Sequence, residues 1–113
     1  MSKEYIEYLR HIQDEITFLQ SAIPEGSTKD DFLADETLKR AVVRSLEIIG
    51  EATKKIPADF KSTMPTIQWK NMAGMRDRLI HDYMGVNYSI VWDVVKNKIP
   101  ELHLQVNAVL DNK

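Results

Sequence analysis

The stretch Trp69-Lys70-Asn71-Met72-Ala73-Gly74-Met75-Arg76-Asp77-Arg78-Leu79-Ile80-His81-Asp82-Tyr83 decides how the rest of the chain is read. Trp69, Met72, Ala73, Leu79 and Ile80, together with Arg76 and Tyr83, fall at offsets 0, 3, 4, 7, 10, 11 and 14. Those offsets trace one face of an α-helix. The spacing predicts a helix from about Thr66 to Tyr83, with Gly85 placed to end it. Arg76 and Tyr83 then sit where a buried seam should be. A cation there is costly unless it is paired or the face lines a polar cleft, and such a conflict between pattern and chemistry marks a candidate site.

The same period continues on both sides. Tyr5, Leu9, Ile12, Ile16, Leu19 and Ile23 predict a first helix to about Ile23, broken by Pro24, Gly26 and Ser27. Ser27 or Thr28, followed by Asp30 and Asp31, has the pattern of an N-terminal cap. A second long helix carries Leu38, Val42, Ser45, Ile49, Ala52 and Ile56 on one stripe and stops at Pro57. Residues 57–66 read as the longest loop. Asn87 or Ser89 starts a fourth helix, which Pro100 kinks or restarts before Leu102, Val106 and Val109. No segment alternates with period two long enough to be a strand. The fold class predicted is all-α: a four- to five-helix bundle of antiparallel helices in a single domain over residues 1–113.

Composition bounds the chemistry. The 113 residues contain no cysteine, which excludes disulfides, thiolate metal sites and cysteine nucleophiles. No apolar run approaches a membrane span and Met1-Ser2-Lys3-Glu4 is not an apolar signal region, so a cytoplasmic location is expected. The net charge of −2 hides an asymmetry. Residues 1–36 set three basic side chains against nine acidic ones, a balance of −6. Residues 54–78 set six (Lys54, Lys55, Lys61, Lys70, Arg76 and Arg78) against Asp59 and Asp77, a balance of +4. The central third can attract a phosphate-bearing ligand, or its lysines are ordinary solvated helix ends. Gly50 and Gly74 lie inside predicted helices, where each costs about 1 kcal/mol relative to alanine. Close approach of a neighbouring helix or subunit would explain them, and so would a neutral surface position.

Asp77 and His81 are i, i+4, so the carboxylate can orient the imidazole. Arg76 and His81 differ by about 140° around the helix. An arginine, an acid and a histidine suit RNA cleavage without a metal. The reaction needs a base for the 2′-hydroxyl proton, an acid for the leaving 5′-oxygen and a cation on the pentacoordinate phosphate. One chain offers one histidine here; a two-fold dimer offers two. The same residues could equally be a structural salt bridge, or Asp77 and His81 half of a metal site. His11 and His103 read as surface or boundary histidines. No His-x-x-x-His zinc pattern, phosphate-cradling glycine loop or Gly-x-Ser-x-Gly nucleophile is present.

Arg76-x4-His81-x-Tyr83 resembles the signature of the HEPN fold (higher eukaryotes and prokaryotes nucleotide-binding), in the form carried by HepT-type toxins of MntA/HepT toxin–antitoxin pairs. The likeness spans the chain. It includes Phe32-Leu33-Ala34-Asp35, Ile48-Ile49-Gly50-Glu51-Ala52, Ile67-x-Trp69, Met72-Ala73-Gly74-Met75-Arg76, Val91-Trp92 and Ile99-Pro100-Glu101-Leu102. The resemblance implies an all-α HEPN homodimer, or a higher assembly, with a metal-independent endoribonuclease site at the dimer cleft and no cofactor. Arg76 and His81 match the family's catalytic pair, and Asp77 the polar position after the arginine. Lys70 and Arg78 are candidate contacts to RNA phosphates. Tyr83 matches the tyrosine that an MntA-like nucleotidyltransferase antitoxin modifies with AMP, adding charge and bulk beside the catalytic pair. A non-catalytic nucleotide-binding or docking module, with Arg76 and His81 holding phosphate without turnover, is the alternative.

Overall fold

The computed structural model describes residues 4–82 and 84–111. Their regular structure is entirely helical. Helix α1 spans Glu4–Ala22, α2 Lys29–Ala34, α3 Glu36–Lys55, α4 Ala58–Thr63 and α5 Trp69–His81. Then α6 (Tyr88–Asp93), a π-helical turn (Val94–Lys98) and α7 (Ile99–Asp111) run on without interruption. Four long helical runs and two short helices thus meet the expectation of an all-helical bundle. Among the described residues no helix is long and apolar enough to cross a membrane.

The apolar stripes fall where their period put them. Leu9, Ile12, Ile16 and Leu19 of α1 are fully buried, as are Val42 and Val106 of α3 and α7. Helix α3 is central, packing on α1 along one side and α5 along another, while α7 closes on α1. Polar side chains bond across the seams that α1 makes with α3 and α7. Ser45 Oγ donates to Glu15 Oε1 at 2.8 Å, and Gln13 Nε2 donates to Asn107 Oδ1 at 2.9 Å. His103, read as a boundary histidine, is half-buried and bonds Asn107 through its Nε2.

Three expectations are corrected. The cap pattern at Ser27–Thr28 does not open the long helix that carries the Leu38–Ile56 stripe: a short helix comes first, and the helical run breaks at Asp35. That residue adopts φ −100°, ψ 97°, ends α2, and accepts from the Leu38 N–H at 2.9 Å as the cap of α3. The break turns Phe32 into the core, against Trp92 with ring centroids 5.6 Å apart. Thr28 is the residue that caps α2, accepting from the Asp31 N–H at 3.1 Å.

The segment 57–66, read as loop, contains α4. Pro57 stops α3, yet its φ of −61° suits the entry to a new helix. Phe60 of α4 stacks on Tyr5 with centroids 4.2 Å apart and meets the edge of Trp69.

The last helix does not restart at Pro100. The proline has no N–H to give and its ring crowds the carbonyl four residues back. Upstream the helix widens to a π turn in which the Ile99 N–H bonds the Val94 carbonyl, and the run continues.

Candidate active site on helix α5

Helix α5 starts at Trp69 rather than Thr66, because Trp69 anchors it from inside: the ring is buried and Nε1 donates to the Met64 carbonyl at 3.1 Å. From there the helix crosses α3 at Gly50. A Cβ on Gly50 would lie 2.2 Å from Arg76 Cβ and 2.8 Å from the Met72 carbonyl oxygen. The glycine is what lets the backbone of α5 reach α3 at the level of Arg76. A Cβ on Gly74, by contrast, meets nothing within 4 Å.

Arg76 is thereby delivered into a half-buried seam, and α3 supplies its partner. Its Nη2 donates to Glu51 Oε1 at 3.1 Å and its Nη1 to Asp77 Oδ1 at 2.9 Å. Lys54 Nζ donates to the same Asp77 oxygen at 2.9 Å. Two cations and two carboxylates form one neutral network. Asp77, through its hydrogen bond, and then Glu51 hold the Arg76 guanidinium even more firmly charged than usual. Hydrogen bonds from Lys54 and then Arg76 hold the Asp77 carboxyl below the ordinary carboxylate range. Arg76 Nε is buried without a partner. Of the five guanidinium protons, one on each terminal nitrogen is used, leaving one on each for an incoming anion.

His81 is the last residue of α5 and is exposed. Among the described residues nothing hydrogen-bonds its ring. The expected Asp77–His81 bond is absent; Asp77 Oδ1 accepts from Lys54 and Arg76 instead. Arg78 and Lys70 are exposed and lie on the rim of a separate groove of about 290 Å³. Within one chain, then, Arg76 and Asp77 are brought together, while His81 stands apart and Lys70 and Arg78 face elsewhere. Tyr83 lies outside the described residues. No three His, Cys, Asp or Glu side chains group as a metal site among the described residues.

Glu51 and Lys54 are the site residues that sequence reasoning missed. A signal was available: an arginine on a buried face requires an acid opposite, and Glu51 directly follows the glycine that admits the arginine's helix.

The family model for HepT-like ribonucleases matches residues 3–109. The chain belongs to the HepT-like ribonuclease family. A protein of Caldanaerobacter subterraneus subsp. tengcongensis, provisionally named an RNase, is 48% identical over 106 residues, 94% of each chain. The "Probable ribonuclease HepT" of Thermococcus cleftensis is 45% identical over 102 residues, covering 90% of this chain and 92% of that one. A Methanocaldococcus jannaschii protein, also provisionally named an RNase, is 47% identical over 104 residues, 92% of this chain and 82% of its own. No solved structure gives a significant match. For a HepT-like chain the geometry has one plain meaning: the arginine of the motif is built into the fold, and the histidine is left free at the helix end.

Proposed function

We propose that this chain is a ribonuclease toxin that cuts RNA as a homodimer, without a metal, and is silenced by AMP transfer to Tyr83. The observation that carries the reading is Arg76, held on α3 by Glu51 and Asp77 with two N–H groups left over, in a chain of the HepT-like ribonuclease family. A planar cation fixed in this way is prepared to receive phosphate oxygens rather than free to wander.

In the proposed reaction His81 takes the proton of the 2′-hydroxyl, and the 2′-oxygen attacks phosphorus. Arg76 stabilises the charge of the pentacoordinate phosphorane. The bond from phosphorus to the 5′-oxygen breaks, and an imidazolium returns a proton to that oxygen. A cyclic phosphate and a free 5′-hydroxyl result. In the dimer the His81 that serves each cleft comes from the second copy, and the same imidazole acts first as base and then as acid. Asp77 is a positioning residue for Arg76 rather than for the imidazole. Lys70 and Arg78, which form no ion pair among the described residues, supply the accessible positive charge for RNA. The partner reading is a cytoplasmic nucleotidyltransferase antitoxin. AMP on Tyr83, two residues beyond His81, would place an anion and a bulky base where RNA must sit.

The test is growth of cells expressing wild type or His81→Ala, each with and without a nucleotidyltransferase partner, followed by intact mass of the purified protein. Toxicity that needs His81, and about 329 Da added at Tyr83 with the partner present, is the expected outcome. A purified dimer that leaves RNA intact, with His81→Ala no less toxic than wild type, ends the proposal.

A further inference from the structure

The groove of about 290 Å³ between α5, α3 and the start of α7 is not used by the chemistry above. Its floor is apolar, formed by Leu46 and Ile49 of α3, Met72 and Met75 of α5, and Leu102 of α7. Its rim is cationic. Lys70 and Arg78 stand on one side and Lys98 on the other, with Glu101 the acidic group among the lining residues. None of these three cations is in an ion pair among the described residues. Two amides complete the rim: Gln105 uses its Nε2 on the Thr66 carbonyl, and Gln68 uses its Oε1 on Asn71. Each keeps its other end for a ligand.

We propose that this groove is a subsite that receives one unstacked base of the RNA substrate, with Lys70, Arg78 and Lys98 on the neighbouring phosphates. The proposal rests on the ribonuclease reading. The apolar floor includes the Met75 thioether, which packs well against the face or edge of an aromatic ring, while Met72 turns its sulfur to the Thr53 hydroxyl. The free amides offer one donor group and one acceptor to a base edge. The volume falls just under the range of about 300–1,000 Å³ typical of small-molecule pockets, which suits one ring system rather than a dinucleotide. Single-stranded RNA is recognised in this way, by bases splayed from the stack into protein pockets. Arg78 is i, i+3 from His81, so the cationic edge of the groove and the imidazole lie about one helical turn apart on α5. A second copy is a poorer occupant: a two-fold contact centred here would bring Lys70, Arg78 and Lys98 towards their own copies.

The test titrates the four nucleoside 5′-monophosphates and, separately, inorganic phosphate into wild type, His81→Ala, Gly74→Leu and Lys98→Glu. Gly74 lines the mouth and faces open space, so leucine fills the groove without moving the backbone. Wild type and His81→Ala should bind at least one mononucleotide about tenfold tighter than phosphate. Gly74→Leu and Lys98→Glu should each lose about tenfold of that affinity, and Gly74→Leu should raise KM for RNA by a similar factor. Thermal melts of both groove variants report whether they are folded. Mononucleotides that bind no tighter than phosphate, or that ignore Gly74→Leu, overturn the subsite while leaving ribonuclease activity standing. A Gly74→Leu chain that turns from dimer to monomer overturns it in favour of a subunit contact. Groove-dependent base binding in a protein that cuts no RNA ends the ribonuclease reading and leaves the base site.

Discussion

Arg76 carries its charge into a seam where its side chain is 23% exposed, and remains stable there because Glu51 meets it from the facing helix. Replacing Glu51 with glutamine keeps the shape and removes the charge. The pair is nearly half open to water on the Glu51 side, so stability should change little. Guanidinium placement should suffer instead, with RNA cleavage falling by up to about a hundredfold. Cleavage assays alongside thermal melts separate the two effects. Asp77 has a different signature. Its folded-state pKa lies below the unfolded value, so its contribution to stability is present above the ordinary carboxylate pKa of about 3.9 and is lost as pH falls through the lower folded value. Asp77→Asn should therefore be less stable than wild type near neutrality, and the two should converge in acid, read as midpoint against pH. The arginine, aspartate and histidine themselves were legible from the sequence. Their connections were not: i, i+4 spacing favoured Asp77 with His81, whereas the carboxylate bonds Arg76 beside it and Lys54 from α3, a partner that only the tertiary fold brings near.

The helix pair α3–α5 is organised by one close approach, and the two mid-helix glycines divide along it. Gly50→Ala gains about 1 kcal/mol of helix propensity but must push aside Arg76 Cβ and a backbone carbonyl, an overpacking cost of about 1–3 kcal/mol that also displaces the arginine. It should lower stability and activity together. Gly74→Ala meets nothing and should raise stability by about 1 kcal/mol. Denaturant midpoints of the two variants should move in opposite directions, although propensity alone treats them alike. Long stripes were readable from period, as α1 and α3 show. Short elements were not. The break at Asp35 is an ordinary cap pattern just ahead of the stripe that begins at Leu38, overshadowed by the cap pattern at Ser27–Thr28, and α4 is too short to show a period between two prolines. The π turn compensates for Pro100 several residues upstream of it, where no local signal marks the change.

At the scale of the whole molecule, one protomer supplies a fixed arginine and a free histidine that no contact joins. The two side chains leave α5 about 140° apart, and Asp77 ties the first to α3 rather than to the second. On the proposed reading a second copy completes the site, with each cleft built from the arginine of one chain and the histidine of the other. The exposed side chains of Phe18, Met84, Ile90 and Leu104 add apolar surface that a partner could cover. Complementation decides whether the site is shared. Arg76→Ala and His81→Ala chains should each be inactive as homodimers. Refolded together, they form mixed dimers in which one cleft has lost both groups and the other has both. Random pairing makes half of all dimers mixed, each with one good cleft of two, so activity should return to about a quarter of wild type. Light scattering on the same samples establishes that dimers are present. Mixed dimers that stay inactive would place arginine and histidine of a single chain in each site, and α5 would then have to deform to bring them together.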